Sequence, residues 1–188
     1  SWKFTSSNTS HYGGWQNSNF GGDFIDNSGR DIIWTQDSKN EKFWTNVNEV
    51  KFNKKLSSDF IEPNSKVKKR SAIEVKKLAE RKYQFTMDKI YTGWIEFSFR
   101  GKPGQEIEIS ASSWPDKEEE FNQRNTVMVN DKGKAIFCNR FTYHQVKYVT
   151  INGIDKQPEL GDIRGYQVTN DRARIGGFEC SNNLLNKI

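Results

Sequence analysis

Tyr91-Thr92-Gly93-Trp94-Ile95-Glu96-Phe97-Ser98-Phe99-Arg100 is the stretch that decides the fold class. Tyr91, Gly93, Ile95, Phe97 and Phe99 alternate with Trp94, Glu96, Ser98 and Arg100. Successive side chains of an extended chain point to opposite faces, so a period of two predicts a strand with one buried face. Just upstream, Tyr83, Phe85 and Met87 alternate with Gln84, Thr86 and Asp88. Downstream, Gly101-Lys102-Pro103-Gly104 is a turn, and Ile107, Ile109 and Ala111 carry the next strand.

The same punctuation continues. Val127 and Val129 lead to Asn130-Asp131-Lys132-Gly133, a hairpin-type turn, from which Ala135 to Cys138 returns. Val146, Tyr148 and Thr150 alternate with Lys147, Val149 and Ile151, a strand apolar on both faces that ends at Asn152-Gly153. Ile163 to Val168 and Ile175 to Cys180 complete the set. Between Ser65 and Lys82, Ile73, Val75, Leu78 and Ala79 fit either period; the alternation of Ala72 to Lys76 favours a strand. Short strands spaced by Gly, Asn and Pro turns predict an all-β fold, an antiparallel β-sandwich or jelly roll.

The two ends differ. Residues 1–42 are rich in Ser, Asn and Gly, with turns at Gly13-Gly14, Gly21-Gly22 and Asn27-Ser28-Gly29. Phe24-Ile25 and Ile32-Ile33-Trp34 could be short strands there. This segment reads as loop-rich, the end of a preceding domain, with the sandwich over 43–180. In 181–188, Ser181 is a candidate N-cap and Leu184, Leu185 and Ile188 share a helical face. That reads as a helix start, and hence as the link to a helical domain that follows.

Composition narrows the function classes. The 188 residues suit one domain, and although only 34% are hydrophobic, 13 Phe, 6 Trp and 6 Tyr can supply a core. The net charge of +5 comes from one stretch, Lys66, Lys68, Lys69, Arg70, Lys76, Lys77, Arg81 and Lys82. So local a run reads as a solvated strand face rather than a nucleic-acid surface. No apolar run of membrane-spanning length occurs. Cys138 and Cys180 are too few for a disulfide scaffold; they read as small hydrophobes, with a single bridge left open.

Catalytic chemistry finds little support. The acidic group Asp116, Glu118, Glu119 and Glu120 reads as a solvated loop, and His144, in Phe141-Thr142-Tyr143-His144, as a packed, hydrogen-bonded histidine. His11 is the other histidine, too sparse a set for a metal site, and no phosphate-binding glycine motif or cofactor motif is present. Sugar recognition is the more open question. Trp114, before Pro115 and close to Asn122, Arg124 and Asn125, offers an aromatic face beside polar groups, the usual makings of a carbohydrate site. The competing reading packs Trp114 into the core or against another domain.

Phe141-Thr142-Tyr143-His144-Gln145-Val146-Lys147-Tyr148-Val149-Thr150-Ile151-Asn152-Gly153 resembles the signature strand of bacterial α-L-rhamnosidases. Tyr91-Thr92-Gly93-Trp94-Ile95 and Gly101-Lys102-Pro103-Gly104-Gln105-Glu106-Ile107 resemble that family's Gly-Trp strand and Pro-Gly turn, and Gly176 to Ile188 its lead into the catalytic domain. The likeness runs from about Tyr83 to the end and is weaker over 43–82, where Lys42-Phe43-Trp44 resembles the domain's opening. It implies a concanavalin-like, non-catalytic sandwich that precedes an (α/α)6 barrel, the barrel being its partner in the same chain. The parent enzyme would cleave terminal α-L-rhamnose with inversion, and no catalytic carboxylate carries over to this chain. A rhamnose-containing glycan would be the ligand, and the periplasm or cell surface the location. The alternative is a carbohydrate-binding module of a polysaccharide-degrading enzyme. Two departures stand out: Val146-Lys147-Tyr148 replaces Phe-Arg-Tyr, and Ala111-Ser112 stands where the family often has Gly-Glu.

Overall fold

The computed structural model describes residues 2–14, 19–28, 44–170 and 176–187. Its strands are β1 (Lys3–Phe4), β2 (Thr9–Tyr12), β3 (Gly22–Ile25), β4 (Thr45–Asn46), β5 (Asn64–Ala79) and β6 (Lys82–Arg100). They continue as β7 (Glu106–Ser112), β8 (Arg124–Met128), β9 (Lys134–Cys138), β10 (His144–Asn152) and β11 (Ile163–Asn170). The chain is therefore all-β, as the alternation predicts. Most of Ser65 to Lys82 is strand: β5 runs to Ala79 and joins β6 by a turn in which Arg81 takes φ 59°.

Two long strands fold the ladder into a sandwich. The second half of β5 pairs with the start of β6, which pairs with β10, and the sheet continues through β7, β8, β3 and β2. The first half of β5 pairs with β11, which pairs with Ile95 and its neighbours late in β6; β9 closes that layer against Glu96 to Arg100. The core lies between. Phe85, Met87, Ile95, Phe97, Ile107, Ile109, Val127, Phe137, Val149 and Ile151 are fully buried. Phe85 and Phe97, from the two halves of β6, meet edge to face with ring centroids 6.5 Å apart.

Gly93 is where β6 changes partners. It stands opposite His144 in one layer and Gln167 in the other. A Cβ at Gly93 would lie 1.9 Å from the Tyr166 carbonyl oxygen, and one at Gly165 2.3 Å from the Tyr91 hydroxyl. The backbone approach at Gly93 tolerates no side chain, and at Gly165 the buried Tyr91 ring occupies the space one would need.

Three local expectations need correction. The turn at Asn130–Gly133 forms, with Asn130 Oδ1 accepting the N–H groups of Lys132 and Lys134 at 3.0 and 2.9 Å. It is not a hairpin, however: β8 pairs with β7 and β3, whereas β9 pairs with β6, so the turn carries the chain from one layer to the other. Residues 176–180, expected as a last strand, are irregular, and Gly176-Gly177 explains why: glycine gives a strand no side chain to pack. At 181–188 the described residues hold a single 3-10 turn, Leu185–Lys187. Its cap is Asn182 rather than Ser181, since Asn182 Oδ1 accepts the N–H groups of Leu184 and Leu185.

The sheet also reaches into the segment read as loop-rich. β2 and β3 lie at one end of it, and β3 runs parallel to β8, whereas the other described ladders are antiparallel. Gly22 makes that contact possible, because a Cβ there would sit 1.9 Å from the Arg124 carbonyl oxygen. Ile32-Ile33-Trp34 and Lys42-Phe43 lie outside the described residues.

The basic run is mostly a strand face in water. Lys68, Lys69, Lys76 and Lys77 are exposed. Arg70 is buried, 3.6 Å from Asp88, and donates to Gln167 Oε1 at 3.0 Å. Lys66 lies 4.1 Å from the Tyr166 ring centroid and 3.8 Å from Glu96. Cys138 and Cys180 are both free and half-buried. Replacing Gly93 by Ala forces backbone apart at the crossover between layers. The expected cost is about 3 kcal/mol, the upper end for overpacking. Urea unfolding measures it, and an unchanged midpoint would show that the two layers can separate there without loss.

Candidate functional site

Where Phe141 to Gln145 runs extended into β10, its alternation is inverted. Phe141, Tyr143 and Gln145 are exposed, while Thr142 is half-buried and His144 buried. Aromatic rings thus face water and polar groups face inward. The reason is a buried polar network. Asp23 Oδ2 accepts the Arg140 N–H at 3.0 Å and the Thr142 hydroxyl at 3.1 Å. The Asp23 N–H donates to Asn125 Oδ1 at 3.0 Å. Asn139 donates to Thr142 Oγ1 at 3.0 Å and accepts the Ile95 N–H at 2.8 Å. A buried carboxylate and buried amides are tolerated only with such partners. Together they tie β3, β8 and the β9–β10 connection into one unit.

His144 closes the network. Its Nε2 is 3.0 Å from Asn125 Nδ2, which a neutral ring can accept. Burial pushes the imidazole down from 6.5 to about 4, and the carboxylate of Asp23 opposes this only in part. The ring is therefore neutral near pH 7, packed and hydrogen-bonded as the sequence suggests.

Above the network lies a cleft of ≈ 390 Å³. Phe20 and Phe121 wall it as an edge-to-face pair with centroids 5.5 Å apart. Phe141 and Tyr143 supply further aromatic lining, and Thr92, Gln123 and Gln145 supply polar groups. Gln123 Oε1 accepts the Gln145 N–H at 2.8 Å, while its buried Nε2 has no hydrogen-bond partner among the described residues.

The residues proposed from sequence fall elsewhere, and the structure does not bring them together around one ligand position. Trp114 is 59% exposed, on the loop between β7 and β8. Its N–H donates to Ser112 Oγ at 2.9 Å, so the serine that departs from the family pattern fixes this turn. Asn122 donates to Asn19 Oδ1 at 2.7 Å, and Arg124 lies 3.4 Å from Glu108. Asn125 is fully buried at the centre of the network. The acidic group disperses as well: Glu120 turns inward to accept from Ser113, and Glu118 pairs with Lys82. The signal for the cleft was legible in principle, as Phe141-x-Tyr143-x-Gln145 with polar residues at the inward positions.

Comparison with known proteins bears on this geometry directly. Residues 76–169, half of the chain, match the family model for the bacterial α-L-rhamnosidase concanavalin-like domain. The chain belongs to this family. The match takes in β6, β7, β10 and most of β11, so the alternating strands and all of the His144 network except Asp23 lie within it. An α-L-rhamnosidase from Formosa agariphila is 23% identical over 186 residues, covering 92% of this chain and 20% of its own length. The α-L-rhamnosidase structure from Dictyoglumus thermophilum superposes with a TM-score of 0.70 at 28% identity, covering 90% of this chain and 20% of that one. The Aspergillus terreus enzyme gives 0.73 at 24% identity, covering 90% and 21%, a likeness of fold. The chain thus spans about a fifth of the length of these relatives. It is a concanavalin-like β-sandwich of rhamnosidase type, as the signature strand and Pro-Gly turn imply.

The neutral imidazole gives stability a pH dependence of known sign. The unfolded chain protonates His144 near 6.5, the folded one only near 4. The contribution is complete above about pH 6.5 and is lost as pH falls toward about 4, in total about 3 kcal/mol. Urea unfolding of the native chain and of His144→Gln, at about pH 7 and about pH 4.5, should give a smaller acid loss in the variant. Equal losses would mean that the ring titrates normally in the folded state.

Proposed function

We propose that this chain is the accessory sandwich of an α-L-rhamnosidase-like glycoside hydrolase, inactive alone, and that it buttresses a catalytic domain that cleaves terminal α-L-rhamnose. The observation that carries the reading is a set of apolar side chains with no cover among the described residues. In the irregular tract between β4 and β5, Phe60 is 93% exposed and Leu56 80% exposed, and Val50 and Phe52 are exposed too. Phe178, Leu184 and Leu185, after β11, are likewise open. Exposed large apolar side chains in such number point to an interaction site, and burying each Leu or Phe is worth about 2 kcal/mol. The partner is the remainder of a longer chain, in keeping with the fifth of the relatives' length that this one spans.

A second reading, carbohydrate recognition, is favoured by the exposed indole of Trp114. In that reading Trp114 stacks on a sugar, with Asn122, Arg124 and Asn125 as its polar partners. The present engagements of Asn122 and Arg124, and the burial of Asn125, make it the weaker placement.

Two measurements test the buttress. The 188-residue chain should not hydrolyse p-nitrophenyl α-L-rhamnoside, and turnover by it would sink the reading. In the complete enzyme, Leu56→Ser with Phe60→Ser should lower the melting temperature and the activity, while leaving the melting temperature of the 188-residue chain unchanged. An unaffected complete enzyme would show that these side chains meet no partner.

A further inference from the structure

We propose that the aromatic cleft above the His144 network binds one neutral pyranose unit of a glycan, its apolar face on the rings and its hydroxyls on Gln123, Gln145 and Thr92. This rests on the carbohydrate-recognition reading and moves that role away from Trp114.

The lining selects the ligand class. Phe20, Phe121, Phe141 and Tyr143 offer ring faces and edges, to which the C–H face of a pyranose or the methyl of a 6-deoxyhexose is complementary. Among the described residues the polar lining is amide, hydroxyl and the His11 imidazole, with no Lys, Arg, Asp or Glu. Apart from His11 when protonated, an anionic ligand would find no counter-charge among these residues, and a cationic one no carboxylate. A neutral polyol asks for what is there, paired donors and acceptors without formal charge.

Gln123 strengthens the assignment. It lines the cleft, its residue is 3% exposed, and its Nε2 lacks a partner while Oε1 is held by Gln145. A buried amide donor left unmade costs about 1–3 kcal/mol, and since this one is closed to solvent a ligand hydroxyl would recover that cost only by a turn of the Gln123 side chain toward the cleft. The backbone that carries Phe141 is also held in place. Phe141 is 75% exposed, yet it lies between Arg140 and Thr142, both anchored on Asp23. An exposed aromatic on a fixed backbone loses little entropy on binding.

The test uses the isotope-labelled 188-residue chain, titrated separately with the methyl glycosides of L-rhamnose, L-fucose, D-glucose and D-galactose. Amide spectra should show saturable shifts at the Gln123 side chain and the 141–145 backbone with at least one of them. Phe141→Ala and Tyr143→Ala, both at exposed positions where the fold is not at stake, should each weaken that binding about ten-fold, and Trp114→Ala should leave it unchanged. Binding abolished by Trp114→Ala and indifferent to Phe141→Ala would overturn the cleft while carbohydrate recognition stood. No saturable shift with any of the four glycosides would overturn both.

Discussion

β6 hydrogen-bonds in both layers of the sandwich, and it can do so only because nothing projects from Gly93. At that residue the strand leaves β10 and takes up β11 and β9, and the Tyr166 carbonyl fills the space a side chain would need. Much of the architecture follows from this crossing. It turns one continuous ladder into two facing layers. It sets Phe85 and Phe97, twelve positions apart on one strand, edge to face in one core. It also brings His144 opposite Gly93, so the signature strand begins where the layers part.

The second constraint is polar. Asp23, Asn125, Asn139, Thr142 and His144 come from three separate parts of the chain and hydrogen-bond to one another in the interior, leaving only Asp23 Oδ1 and His144 Nδ1 of this group without a hydrogen-bond partner among the described residues. Such a network is costly to bury, and in return it allows few alternative arrangements. Here it fixes two things at once. It anchors β3 beside β8 in the one parallel pairing among the described strands. It also draws Thr142 and His144 inward, and alternation then forces Phe141, Tyr143 and Gln145 outward.

These two constraints explain what could be read from the sequence. β6, β7 and β10 were legible because their inward positions are apolar almost without exception, so the period of two survives. β2 was not, because it is short and polar; of β3 only Phe24-Ile25 could be read as strand, since its first half is Gly22 and the polar Asp23, where the glycine pair reads as a turn. The change of layer at Asn130–Gly133 was hidden for another reason. A tight turn between two alternating runs looks the same whether the runs pair with each other or with different neighbours. Asn125 shows how proximity in sequence misleads. It was grouped with Trp114 as a sugar ligand, but it lies on the inward parity of β8, where its carboxamide serves Asp23 and His144.

The exposed apolar surfaces of this chain are of two chemical kinds, and the difference bears on what covers each. The tract around Phe52, Leu56 and Phe60 is irregular and presents its side chains with no polar network beneath them. A large, dry protein surface suits it, because only apolar area is at stake. The aromatic cleft has a floor with a missing hydrogen-bond partner. A flat apolar surface pressed over it would seal the exposed Gln145 amide away from water and lose on that group much of what the rings gain. A ligand that carries hydroxyls on one face and C–H groups on the other meets both demands. The two surfaces thus call for different occupants, and a domain that is held by a larger partner through one of them keeps the other free for a sugar.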